Sequence, residues 1–170
     1  LPKHVVLQIK DGNFAALAQY LKASMQNKLQ REIAKHIFSV VPLKTKIKFV
    51  DTLAKGRLAE YDPKTDTIYV TSEGLKDEVM LHEVTHAATV HVINEYSKYL
   101  KGQKANLTQD QIDGLEHLEE LMEYAQGELG ATYPEAFKNL HEFVAYAMSS
   151  KDFQEELRSE EHTSELQSHS

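Results

Sequence analysis

Five consecutive residues, His82-Glu83-Val84-Thr85-His86, hold the side chains best suited to chemistry in this 170-residue chain. On a helix, positions four apart stand on one face, one turn from each other, so both imidazoles can reach a single cation. Glu83, next to the first histidine, then lies beside that cation, where its carboxylate can act as a general base on water. A chance His-Glu-x-x-His arises about once in twenty chains of this composition by independent placement, so the spacing alone does not decide the matter. The surroundings add weight. The motif sits in LHEVTHAATV, an apolar stretch in which three ionisable groups within five positions are costly unless a metal or polar partners satisfy them.

A catalytic zinc takes three protein ligands and keeps a further position for water. A continuation with glycine three residues past His86 and histidine three residues later is excluded, because Thr89 and Val92 stand there. His91, five residues from His86, is rotated about 140° away from the metal-facing direction. The remaining candidates are His141 and Glu142, on a later helical segment. Being adjacent, they point about 100° apart, so one of them faces the ion, and spacing does not choose between them. Zinc itself is inferred from nitrogen and oxygen donors, since affinity order alone does not select the metal. His4, His36 and His117 are isolated and read as surface or satisfied core residues.

The elements that must position these groups follow from periodicity. Val79, Met80, Leu81, Val84, Ala87, Ala88, Val90, Val92 and Ile93 predict a helix over 76–100, apolar on nearly every side and therefore buried, with Gly102 as its C-terminal cap. From Asn13 to Val41, Phe14, Leu17, Leu21, Met25, Leu29, Ile33, Ile37 and Val40 recur at threes and fours, giving one long amphipathic helix or two consecutive ones, capped by Asn13 and stopped by Pro42. Alternation over 44–50 predicts a strand. Arg57–Tyr61 and Thr67–Val70 predict a hairpin turning through Asp62-Pro63-Lys64-Thr65. Thr108 with Gln111 forms a capping box that opens a helix to Leu129, and Pro134 opens another to Met148. Glu116, Glu119, Glu120 and Glu123 fall at helical spacing and read as a solvated face. The order, helix then short strands then helices, is α+β.

Composition bounds the function classes. The chain has no Cys, which excludes disulfide frameworks, thiolate zinc sites and cysteine nucleophiles. Its formal charge of -7 argues against a nucleic-acid surface, which needs a basic stripe. No apolar run reaches the roughly 18 residues of a membrane span, and Leu1 is not followed by the pattern of a signal peptide. Residues 158–170, RSEEHTSELQSHS, lack apolar periodicity and resemble the translation of a sequencing-adapter oligonucleotide; they are expected to be a disordered tail foreign to a single domain spanning 1–157, itself a fragment of a longer protein. Without the tail's one Arg and three Glu the charge of -7 becomes -5.

His82–His86 with Ala87, the preceding YDPKTDTIYV and the later NLHEFVAYAMSSKDFQ together resemble the zincin-like metallopeptidase domains of large, multi-domain phage and mobile-element proteins, over roughly Ile47 to Leu157. The resemblance implies a small sheet and hairpin packed on a central motif helix, with further helices following. In gluzincin-type families the third ligand is a Glu on a downstream helix, which maps onto Glu142, with His141 as the alternative. Such domains often have an acidic residue where this chain has Tyr146, a departure that makes Tyr146 a candidate hydrogen-bond donor to an oxyanion. The implied activity is a zinc-dependent endopeptidase in which Glu83 takes a proton from water and passes it to the leaving amine. A protein or peptide substrate would add as a strand beside the hairpin, with other domains of the same polyprotein as further partners and a location in the cytoplasm of a bacterial host or in the virion. The competing readings are a non-catalytic zincin-fold module for binding or virion architecture, and a metal-dependent hydrolase of a non-peptide substrate.

Overall fold

β-branched and aromatic residues cluster after the Asp62-Pro63 turn, in Thr67-Ile68-Tyr69-Val70, as a pleated, half-buried surface requires, while the segment before it has Tyr61 alone. The computed structural model describes the backbone of residues 1–25, 28 and 45–168, with side chains as far as 159. Among these, β1 (Lys46–Phe49), β2 (Ala59–Asp62) and β3 (Thr67–Val70) form a mixed sheet in the order β1-β3-β2. β1 runs parallel to β3, with Ile47 opposite Ile68. β2 is antiparallel to β3, with Tyr61 opposite Ile68, and among the described residues its other edge has no partner strand. The expected hairpin is therefore present, starting at Ala59 because the chain before it makes a 3₁₀ turn over Ala54–Gly56.

Asp62 and Asp66 hold the turn. Asp62 accepts from the Lys64 backbone at 2.9 Å and from the Thr65 hydroxyl at 3.1 Å. Asp66 has φ 48°, in the left-handed region that Asp tolerates better than most residues. Its carboxylate accepts from Thr45 Oγ1 at 2.9 Å and Tyr61 Oη at 2.8 Å, tying the start of β1 and the end of β2 to the turn.

Helix α1 (Lys3–Lys10) is not signalled by periodicity, since only Val5 and Ile9 of its residues are buried. α2 (Phe14–Ala23) starts where expected, with Asn13 accepting from the Ala16 backbone at 3.1 Å. It ends at Ala23, where Ser24 bonds back to the Leu21 carbonyl at 2.7 Å, so the single long helix is excluded. The rest of that expectation, Leu29, Ile33, Ile37, Val40 and the stop at Pro42, lies outside the described residues, as does His36.

α3 (Asp77–Leu100) carries the motif and closes at Gly102, whose φ of 74° suits glycine. α4 (Gln109–Leu129) has the reciprocal Thr108–Gln111 capping box. Its acidic run is exposed apart from Glu119, which is half-buried and accepts from Tyr96 Oη at 3.4 Å.

The continuous helix expected over Pro134–Met148 is two pieces, a 3₁₀ turn at Pro134–Phe137 and α5 (Leu140–Ser149). The break is at Asn139, extended at φ −163°, whose side chain accepts from the Glu142 backbone at 2.8 Å and so caps a new helix. α6 (Lys151–Ser168) follows after one residue. Its backbone is helical across 158–168, where a disordered tail was expected, although Leu157 is the last buried residue among those with described side chains.

Two groups of buried residues set the position of α5. On one side Phe137, Phe143 and Phe153 form an aromatic cluster with ring centroids 5.7–5.8 Å apart. On the other, α5 packs along α3, where Ser149 Oγ lies 3.2 Å from His82 Nδ1 and Tyr146 packs against the His82 ring. Thr85 and Thr89, also buried, satisfy their hydroxyls on the Leu81 and Thr85 carbonyls one turn back.

Candidate metal centre

Glu78, His82, His86, Val90 and Asn94 recur every four residues and make the stripe of α3 that lines a cleft of about 740 Å³. The opposite wall is α5, with His141, Glu142, Tyr146 and Ser149. The rim on the sheet side is the segment Arg57–Tyr61, including most of the edge strand β2.

Within this cleft His82, His86 and Glu142 offer donor atoms that all lie within 4.8 Å of one another. His86 Nε2 is 2.5 Å from Glu142 Oε1, and His82 Nε2 is 4.0 Å from the same oxygen. The two imidazoles meet edge to face, with centroids 4.9 Å apart. Two imidazole nitrogens and one carboxylate, converging from two helices and half-buried, form the donor set that zinc takes in catalytic sites. The residues fit a metal ion. His141 also lines the cleft but is not part of this group.

Electrostatics separates the roles. Burial, and then the neighbouring His86, push His82 down to about 4 against the pull of Glu142, which keeps its imidazole neutral and able to donate an electron pair. Burial raises the Glu142 carboxyl, but the hydrogen bond with His86 and the electrostatic pull of His86, then of His82 and Lys138, outweigh it and hold the group below its ordinary value. Glu83 is 7% exposed, and burial pushes it up to about 7; His86 and a hydrogen bond from the Tyr61 backbone oppose that rise, while Glu142 and Glu60 add to it. A carboxyl poised near neutrality beside the donor cluster is suited to taking up and releasing a proton. His141 is lowered, mainly by burial.

Tyr146 packs edge-on against His82, with ring centroids 4.9 Å apart, and lines the cleft. Burial and the charges of Glu142, Glu135 and Glu83 raise its phenol, so it stays protonated and able to donate. His4, His91 and His117 are exposed and lie away from the cleft lining.

Periodicity did not single out Ser149, although it had a signal: Glu142, Tyr146 and Ser149 are spaced four and three apart, the spacing of one helix face. Its Oγ lies 3.2 Å from His82 Nδ1. Asn139, as the cap that starts α5 three residues before Glu142, was likewise hidden inside the expected longer helix.

No protein-family model, no curated protein and no solved structure matches this chain. The site therefore stands on its own residues: a metal-binding triad on two helices with a buried carboxylate beside it, as in a metal-dependent hydrolase. Among the described residues no helix is long and apolar enough to cross a membrane.

Proposed function

We propose that this chain is a zinc-dependent endopeptidase domain of the zincin type, with His82, His86 and Glu142 as metal ligands and Glu83 as general base. The observation that carries the reading is the buried Glu83 carboxylate, raised to about 7, next to three converging donor atoms in an open cleft. A purely structural metal site has no use for such a base. Zinc bound there would acidify a water molecule and polarise a carbonyl. Glu83 accepts the water proton and delivers it to the leaving amine, and its hydrogen bond from the Tyr61 backbone ties the carboxylate to β2 at the cleft rim. Tyr146 donates its phenol proton in a hydrogen bond to the developing oxyanion. The outer edge of β2, which no strand among the described residues covers and which borders the same cleft, takes an extended peptide as an added strand, which favours peptide over non-peptide substrates. We extend the reading to a substrate within the same polyprotein or a host protein, which is what the sequence's resemblance to domains of phage and mobile-element proteins implies.

Zinc content and cleavage of a denatured protein substrate test the reading. Glu83→Gln is expected to keep its zinc and lose cleavage on the order of 10²–10⁴-fold. Unchanged cleavage by that variant overturns the proposal, and zinc binding without cleavage by the natural sequence points to a binding module. Glu142→Ala is expected to lose zinc while His141→Ala keeps it; the reverse pattern makes His141 the third ligand.

A further inference from the structure

His82 Nε2 faces Glu142 across the cluster, 4.0 Å from its Oε1, while Nδ1 lies 3.2 Å from Ser149 Oγ. A neutral imidazole carries one proton, and which nitrogen holds it is set by the partner of the other nitrogen. The Ser149 hydroxyl has one hydrogen, and that hydrogen already has a partner. Ser149 Oγ lies 2.7 Å from the carbonyl of Ala145, four residues back on α5, a distance at which the hydroxyl donates to it. Toward His82, Ser149 can therefore only accept. We infer that Ser149 is a positioning residue that holds His82 in the Nδ1–H form and thereby presents the Nε2 lone pair to the metal position. The inference rests on the metal site proposed above, but the tautomer is a property of the protein without metal.

The arrangement has a physical rationale. An imidazole binds a metal only in its neutral form, through the nitrogen that lacks the proton, so the tautomer decides which nitrogen can serve. The partner is itself 7% exposed and fixed to its own helix, so water competes little for the Nδ1 proton. Second hydrogen bonds of this kind orient ligating histidines and raise their basicity, and their loss costs about 10–100-fold in metal affinity. A serine differs from a carboxylate in the same place. It accepts one hydrogen bond without adding a charge, which suits a cluster that already contains Glu83 and Glu142. Tyr146 completes the setting by packing edge-on against the same ring at 4.9 Å between centroids. His82 is thus flanked by an aromatic ring and met at its Nδ1 by an oxygen, both from α5.

The test reads the tautomer directly. In metal-free protein with labelled histidine, the nitrogen shifts of His82 are expected to show a protonated Nδ1 and a bare Nε2. Ser149→Ala, which preserves helix and volume, is expected to lose that preference and to weaken zinc binding about 10-fold or more at unchanged fold. Ser149→Thr, which keeps a hydroxyl able to bond to the Ala145 carbonyl, is expected to restore both. A His82 protonated on Nε2 in the natural sequence, or a Ser149→Ala variant with the same tautomer and zinc affinity, overturns the inference. If Ser149→Thr fails to fold, the tautomer of the natural sequence and of Ser149→Ala still decides it. A protein that shows the Nδ1–H form but cleaves no peptide removes the peptidase reading and leaves Ser149 in its role.

Discussion

At the scale of single residues, Glu83 pulls stability and chemistry in opposite directions. Its ordinary carboxyl value is 4.5, and burial raises it to about 7 in the folded protein. Between those values the folded chain binds more protons than the unfolded one, so stability of the metal-free protein falls as pH rises through this window. The penalty is absent below about 4.5 and complete above about 7. At 1.36 kcal/mol per unit it amounts to about 3 kcal/mol at most. Glu83→Gln removes the ionisable group, so the metal-free variant is expected to be more stable than the natural sequence at pH 8 and equal to it at pH 4. His82, pushed down to about 4, contributes a trend of opposite sign between about 4 and 6.5, but it is present in both proteins and cancels in the comparison. Thermal unfolding of both proteins across that range checks the prediction; an equal difference at both ends would show that Glu83 is not held protonated by burial.

At the scale of elements, the site depends on where α5 begins. Asn139 both breaks the helical run from Pro134 and caps the new one, which makes Glu142 the third residue of α5 and sets it facing α3. An uncapped start would leave the Glu142 backbone N–H without its partner and let the first turn fray. Asn139→Ala is expected to cost about 1 kcal/mol of stability and, beyond that, to weaken zinc binding, because Glu142 sits in the frayed turn. Asn139→Asp or Asn139→Ser, which cap as well, should recover both. Zinc titration with thermal unfolding checks the pair, and a loss of stability without loss of zinc affinity would mean that α5 is held by its packing alone. The sheet rim has a comparable dependence. A Cβ on Gly74 would lie 2.3 Å from the Leu58 carbonyl oxygen, just ahead of β2, so the turn after β3 can pass this close only with glycine there.

At the scale of the whole molecule, the helices after the sheet do more than enclose the motif helix. Phe137, Phe143 and Phe153 join the 3₁₀ turn, α5 and α6, so the C-terminal helix buttresses the element that carries Glu142. Leu157, fully buried, is the last described side chain to take part. A chain ending at Leu157 is expected to keep its zinc affinity and to change in unfolding free energy by less than about 0.5 kcal/mol, the range of surface changes. Denaturant unfolding of the two lengths checks this; a larger loss would make residues past 157 part of the folded unit.

How much of this was legible beforehand depended on the range of the interactions involved. His82, Glu83 and His86 share one helix, and helical geometry alone places them together, so the sequence by itself determined the core of the site. The same holds for the hairpin, whose turn residues bond within a few positions, and for the capping box of α4. Whether His141 or Glu142 meets the two histidines was not local. It turns on the rotation of α5 about its axis, which the Asn139 cap, the aromatic cluster and the packing of α5 along α3 decide together. Ser149 escaped notice for the same reason, since a serine has no distinctive chemistry until folding sets it 3.2 Å from a histidine 67 positions away. Periodicity reports which face of a helix is buried; only packing decides which residue of another helix lies against it.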